Sequence, residues 1–389
     1  MTIQTWKWKG VNFRDKSFEF VTSPDPEPGS RARAGYLRTP HGNIEVPGFL
    51  PVATRGAVRL LDWGDVYSLG FDAILANAYH LMLRPGVDYI AVAGGLHSFL
   101  GWNRPILTDS GGFQAMSLGG IATDEGIIFR SVYDGTRHLL TPEEALRVQA
   151  ALGVDIAVAL DECPRLPAPI EQVRAATYRS LGWARRSIEA FRASQVRTGQ
   201  LLAGVVQGGV DEKLRREAAV SMVDMGFDVY AIGGLSVGEE FGERLSMLDI
   251  VTRLLPSDRP RYLMGVGDPP TILEAIWMGV DLFDSVLPTR LGRHGTAMTW
   301  EGRVNLRASS SARQDIPISQ GCGCPTCLSH TRGYIRHLLL VGEETGRRLV
   351  SLHNLYFTRS LFKKVRKAIE SGTLEAMKEK ILTYWGEGR

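Results

Sequence analysis

Eight short apolar runs, rich in β-branched residues and each ending on glycine or a polar group, constrain this chain more than any other feature. They are Gly48–Thr54, Ala73–His80, Ile106–Asp109, Val154–Asp161, Leu201–Gln207, Val229–Gly234, Arg261–Gly265 and Val280–Asp284. Helical stretches separate most of them. In Pro142–Leu152, Thr141 suits the N-cap and Pro142 the first turn. Ile170–Arg192 and Glu212–Met225 carry apolar residues at three- and four-residue spacing. Continuously apolar strands that alternate with helices build a parallel sheet buried on both faces. Eight such units favour a closed (β/α)8 barrel over an open doubly wound sheet. The expectation is therefore an α/β fold, one catalytic domain over 1–389.

The pattern breaks in three places. Thr123–Leu140 reads as a hairpin turning at Asp134-Gly135. Residues 1–47 read as short strands and turns, an antiparallel cap on the barrel floor. Residues 286–353 form an insertion between the eighth strand and a last helix. No apolar run reaches the roughly 18 residues a membrane span requires. The opening Met1–Gly10 lacks the basic-then-apolar layout of a signal peptide. Four cysteines in 389 residues exclude a disulfide scaffold, so a reducing cytoplasm is expected. The net charge of +3 divides unevenly: residues 286–389 carry +9 and the remainder −6. That asymmetry points to a polyanion met by the C-terminal quarter, although Leu361–Ile369 alone would pass for a solvated helix face.

Cys322-x-Cys324-x-x-Cys327 is the strongest local signal. Three thiolates this close converge on one ion, and a distant histidine completes a tetrahedral zinc shell. His330, His337 and His353 all follow; His353 is preferred because it is expected to open the last helix and so tie the insertion to the barrel. A closed shell leaves no place for water, which makes the zinc structural, one per subunit. Chemistry in such a barrel sits at the carboxyl ends of the strands. Those ends present Asp109, Asp161 with Cys163, Gln207, the Gly233–Glu239 turn, Met264 and Asp284. Paired carboxylates suit glycosyl chemistry. Asp161 and Gln207 suit a flat heterocycle.

Several segments together resemble the bacterial tRNA-guanine transglycosylases (queuine tRNA-ribosyltransferases). They are Asn77–Leu81, Leu107–Gln114, Leu160–Cys163, Val206–Gly209, Ile232–Glu239, Tyr262–Gly267 and Phe283–Arg290, with the cysteine cluster and His353. The resemblance implies replacement of guanine at the first anticodon position of the tRNAs for Asp, Asn, His and Tyr by preQ1, 7-aminomethyl-7-deazaguanine. It implies Asp284 as nucleophile and Asp109 as general acid/base. Asp161, Gln207, Gly234 and Leu235 would bind the purine edge, with Phe113 and Met264 on its faces. Cys163 and Val237 would wall the aminomethyl arm, with Glu239 behind the Leu235 carbonyl. Arg290 and Arg293 would contact RNA flanking the flipped-out base. A homodimer is implied, with the helix at Tyr334–Val341 offering apolar surface.

Some positions depart from the family pattern. Phe113 stands where many bacterial members have tyrosine, Ser285 where some have cysteine. Asp268 and Thr271 replace a basic and an acidic residue. A non-catalytic RNA-binding relative would lack one of the paired carboxylates. A zinc hydrolase would need an open metal position, and an archaeal-type relative would carry further C-terminal RNA-binding domains.

Overall fold

A computed structural model describes residues 19–193 and 199–386, so the first 18 residues of the expected cap lie outside the described residues. All eight apolar runs become strands of one closed barrel. We number the barrel strands β1 (Gly48–Ala53), β2 (Ile74–Asn77), β3 (Ile106–Asp109), β4 (Ile156–Val158), β5 (Leu201–Val206), β6 (Val229–Ile232), β7 (Arg261–Leu263) and β8 (Leu282–Ser285). Every neighbouring pair is parallel. The barrel closes where β8 meets β1, with Asp284 opposite Leu50. Helices Pro142–Leu152 and Glu212–Met225 occupy the residues their periodicity indicates, and Ile170–Ala193 ends one residue beyond its expected bound. Thr141 and Asp211 cap the first two by accepting from the N–H groups of Glu144 and Leu214.

Two apolar layers hold the barrel. Inside it, Leu50, Leu75, Leu107, Val158, Val205, Tyr262 and Leu282 interdigitate. Outside, the helices bury the opposite faces of the same strands against Phe49, Ile74, Ile106, Leu202, Ile232 and Phe283. That two-sided burial explains why the strands read as unbroken apolar runs.

The cap is a three-stranded antiparallel sheet of Phe20–Pro24, Arg33–Thr39 and Gly42–Val46. Its Leu37, Ile44 and Val46 enter the inner layer and seal the floor. Arg33 adds a bidentate bond to Asp281, 2.8 and 2.7 Å, with the carboxylate fully buried. With the floor closed, only the carboxyl ends of the strands are open to substrate.

The expected hairpin at 123–140 is instead a three-stranded sheet, Ile121–Ala122, Ile127–Arg130 and Arg137–Leu140, whose second turn holds Asp134-Gly135. A short third strand pairs with Ile127–Ile128, a length too small to show as a periodic pattern. After β8 come helix Leu287–His294, the hairpin Thr296–Thr299 with Gly302–Asn305, and helices Pro325–Ser329 and Arg332–Val341. The long helix Glu344–Ser371 follows, and it is not the last: Leu374–Trp385 packs behind it. Among the described residues, no helix is long and apolar enough to cross a membrane.

Candidate active site and metal centre

Asp109, Asp161, Gln207 and Asp284 come from the ends of different strands and meet at the barrel mouth. Asp109 ends β3. Its two oxygens accept from Asn77 Nδ2 at 2.7 Å and from the Ala78 N–H at 3.2 Å, both at the adjacent strand end. Burial pushes its carboxyl up to about 7; the Ala78 N–H opposes this, and the charges of Asp284 and Asp161 reinforce it. A carboxyl held near neutrality gives and takes a proton with equal ease.

Asp284 lies within β8 and is 6% exposed. Its Oδ1 accepts from the Tyr262 hydroxyl and, at 2.8 Å, from the Gly265 N–H. Oδ2 has no hydrogen-bond partner among the described residues. Burial raises this carboxyl too, while the Tyr262 and Gly265 donors favour its charged form. One oxygen is clamped and the other left open, which is the arrangement of a positioned nucleophile.

Asp161 Oδ2 accepts from Gln207 Nε2 at 2.7 Å, and burial pushes its carboxyl up to about 6. Gln207 is 2% exposed, yet its Oε1 has no partner among the described residues. A buried acceptor without a donor is costly unless something arrives to fill it. The approach of Gln207 also explains the neighbouring glycines. A Cβ on Gly234, which has φ +64°, would stand 2.3 Å from Gln207 Oε1, and one on Gly233 2.7 Å from Nε2. Cys163 borders the same space, and burial raises its thiol to about 12, keeping it neutral.

The loop after β6 is pinned from behind. Glu239 turns away from the mouth, accepting from the Ser236 and Val237 N–H groups and from Arg244 Nε. Burial would raise its carboxyl, but Arg244 and the two N–H groups hold it below the usual range. The Val237 carbonyl accepts from the Leu166 N–H at 3.2 Å. Phe113, on helix Gly112–Ser117, is 44% exposed, an aromatic face open to a planar ligand. Met264 lies partly buried at the top of the inner layer.

Arg290 and Arg293 sit on helix Leu287–His294, directly after β8, and neither pairs with a carboxylate among the described residues. Burial, Arg59 and Arg290 together depress the Arg293 guanidinium, so at least three cations crowd this rim. Arg59 was not singled out by sequence reading, because one arginine in a loop carries no pattern. Asp268 and Thr271 turn inward instead: Asp268 caps helix Pro269–Trp277, and Thr271 accepts from Arg244.

The metal centre gathers Cys322, Cys324, Cys327 and His353, whose ligand atoms all lie within 4.8 Å of one another. His353 Nδ1 stands 3.8, 3.4 and 3.4 Å from the three sulfurs. Tetrahedral zinc, with bonds of about 2.3 Å to sulfur and 2.0 Å to nitrogen, sets such separations at roughly 3.5 Å. The residues fit that ion. The other ring nitrogen, Nε2, lies 3.0 Å from the Met298 carbonyl, which fixes the ring's orientation and leaves Nδ1 to face the sulfurs. His353 does not open its helix as expected. It lies in the middle of Glu344–Ser371, because the helix begins nine residues earlier than the apolar pattern suggests. His330 stacks on Tyr334 and is not in the cluster.

Functional residues that sequence reading passed over are those supporting the site: Asn77, Tyr262, Arg244 and Arg215. Arg215 left one signal. It falls on the buried stripe of its helix with Ala218, Ala219 and Met222, where an apolar residue is the norm.

A family model described as queuine tRNA-ribosyltransferase matches residues 27–387. The chain is 49% identical over 359 residues to the queuine tRNA-ribosyltransferase of Thermotoga petrophila, covering 92% of this chain and 96% of that one. It is 46% identical to the protein of that name from Halothermothrix orenii, over 92% and 95% of the two chains. With that of Sphingopyxis alaskensis it shares 46% identity over 89% and 93%.

Proposed function

Because the chain belongs to the queuine tRNA-ribosyltransferase family, we propose that it exchanges the guanine at the first anticodon position of tRNA for preQ1. The observation that carries this reading is the buried Asp161–Gln207 pair at the mouth. Among the described residues Gln207 donates to one Asp161 oxygen, no side chain donates to the second Asp161 oxygen, and Gln207 Oε1 is buried without a donor. The N1–H and exocyclic amine of a guanine present the complementary donors. Phe113 and Met264 offer faces above and below the ring, and Gly234 and Leu235 a main-chain edge.

The chemistry is a double displacement. Asp284 Oδ2 bonds to the anomeric carbon of the ribose as the bond to guanine breaks, and the electron pair of that bond leaves on the purine. Asp109 supplies the proton, and guanine departs. PreQ1 then enters the same pocket, gives a proton to Asp109, and displaces the Asp284 carboxylate. Two displacements reuse one purine site and retain stereochemistry. The tRNAs for Asp, Asn, His and Tyr are the substrates, held through Arg290, Arg293 and their neighbours.

Zinc at the Cys3His centre makes segment 286–353 a structural subdomain of one catalytic domain. Four free cysteines suit a reducing cytoplasm. Tyr334, Leu340 and Val341 are exposed along helix Arg332–Val341, which suits a homodimer interface. Sedimentation should then give about twice the 42.8 kDa chain mass.

Labelled guanine incubated with the protein and an anticodon stem-loop should enter the RNA. On denaturing gels the wild type should form an RNA–protein adduct that Asp284→Asn lacks, with exchange reduced by roughly 10⁴-fold or more. An adduct that persists in Asp284→Asn would move the nucleophile to Asp109.

A further inference from the structure

Arg215 is a fully buried guanidinium with no carboxylate bonded to it among the described residues. Among the described residues it bonds only to main-chain carbonyls, one at the end of β5 and three on the glycine turns after β5 and β6. Nε donates to Gly209 at 2.8 Å, and Nη1 to Val206 at 3.0 Å and Gly233 at 2.8 Å. Nη2 donates to Gly234 at 3.0 Å. The turns it joins follow β5 and β6, on either side of Gln207. A buried arginine is rarely left without an anion, so this one holds its place at a cost.

The peptide bond is planar and trans, so a carbonyl and the N–H of the next residue point in opposite directions. Drawing the Gly233 and Gly234 carbonyls onto Arg215 therefore aims the Gly234 and Leu235 N–H groups the other way. The Gly234 N–H faces the Cys163 sulfur, on the pocket side. Neither N–H has a main-chain acceptor among the described residues. A cation bonded to the carbonyl end of a peptide also polarises it, which strengthens donation at its N–H end.

Resting on the exchange reaction above, we propose that Arg215 is a positioning residue for the leaving purine. It orients and polarises the 233–234 and 234–235 peptides so that their N–H groups stabilise the negative charge the purine gathers as its bond to ribose breaks. The charge develops only as the bond breaks, so the effect belongs to the rate of chemistry and not to RNA binding.

The test compares wild type, Arg215→Met and Arg215→Lys in guanine exchange on an anticodon stem-loop, with folding and zinc content checked for each. Lysine keeps the charge and the fold more readily but cannot span four carbonyls. Arg215→Met should lower kcat by roughly 10- to 100-fold with KM for the stem-loop within about threefold, and Arg215→Lys should fall between. A second series replaces the target guanine by purines that leave more easily, and the deficit of each variant should shrink along it. Wild-type kcat in a folded Arg215→Met, or a loss seen only in KM, would overturn the inference. If methionine prevents folding, Arg215→Lys decides alone: a deficit equal for every leaving purine would mean a purely structural role. Absence of exchange by the wild type would instead defeat the reading on which the inference rests.

Discussion

At the residue scale, one element of the sequence decides little until its neighbours are known. Asp109 and Asp284 are both strand-end aspartates, yet Asp109 has both oxygens engaged and Asp284 only one. Asp109 also bears a pH signature. Its folded carboxyl titrates at about 7, above the usual 3.8, so the native state keeps a proton that the unfolded chain has lost. Below pH about 4 the group is neutral in both states and costs nothing. As pH rises through that window to about 7, stability falls, and the full penalty remains above it. Asp109→Asn removes the penalty, so its stability relative to wild type should improve between pH 4 and pH 8, by about 1–4 kcal/mol. Thermal unfolding at the two pH values checks this; an unchanged difference would contradict the assignment. Val237 is a second case. Its main chain is held by Leu166 and Glu239 regardless of side chain, so if Val237 walls the base pocket as proposed, Val237→Gly should open that wall and leave the loop in place. Competition between preQ1 and queuine, whose arm carries a bulky ring, should favour preQ1 in the wild type. The preference should narrow by roughly tenfold or more in the variant.

At the scale of elements, the proposed structural role of the metal centre makes the stability of the segment after β8 the quantity to measure. Its apolar cluster is small, Ala297, Leu306, Ile318, Ile335, Leu338, Leu339, Leu349 and Val350, and the cysteines join it to helix Glu344–Ser371. Metal analysis should find about one zinc per chain. Cys324→Ala, or removal of the ion by a chelator, should lower zinc content and thermal stability together, by several kcal/mol. Protein that loses its metal and keeps its melting temperature would refute the structural role. The same helix shows why expected boundaries shift. Its interior buries Leu349 and Val350 against the insertion and Leu352, Leu361, Phe362 and Val365 against the barrel. Two partners on one helix blur the single stripe by which a helix start is recognised.

At the scale of the whole molecule, the charge asymmetry divides between internal and external partners. Arg348 pairs with Asp65, Arg359 and Arg366 with Glu45, and Lys378 with Glu274. Part of the positive C-terminal quarter is thus matched to the negative remainder and glues the chain to its own barrel. Arg290 and Arg293 pair with no carboxylate among the described residues, and the proposed exchange reaction would use them to hold RNA. Replacing both by alanine should weaken stem-loop binding and reduce the slope of log affinity against log salt by roughly 1.5. An unchanged slope would place the phosphates elsewhere.

The sequence by itself determined the barrel, because strands buried on both faces must be continuously apolar and eight of them alternate with helices. It also determined the three thiol donors of the metal centre, since three cysteines within six residues have few other uses, and the strand-end residues Asp109, Asp161, Gln207 and Asp284; which of three later histidines joins the thiols was left to the fold. Tertiary structure alone decided what those residues do to one another. That Tyr262 clamps Asp284, that Asn77 holds Asp109, and that Arg215 gathers four carbonyls are contacts between residues 6 to 32 positions apart, most of them joining separate strand ends. No local pattern encodes them. The inward turn of Glu239 and Asp268 follows the same rule: a carboxylate in a loop faces whichever N–H groups and cations the fold brings near, and only the closed barrel fixes which those are.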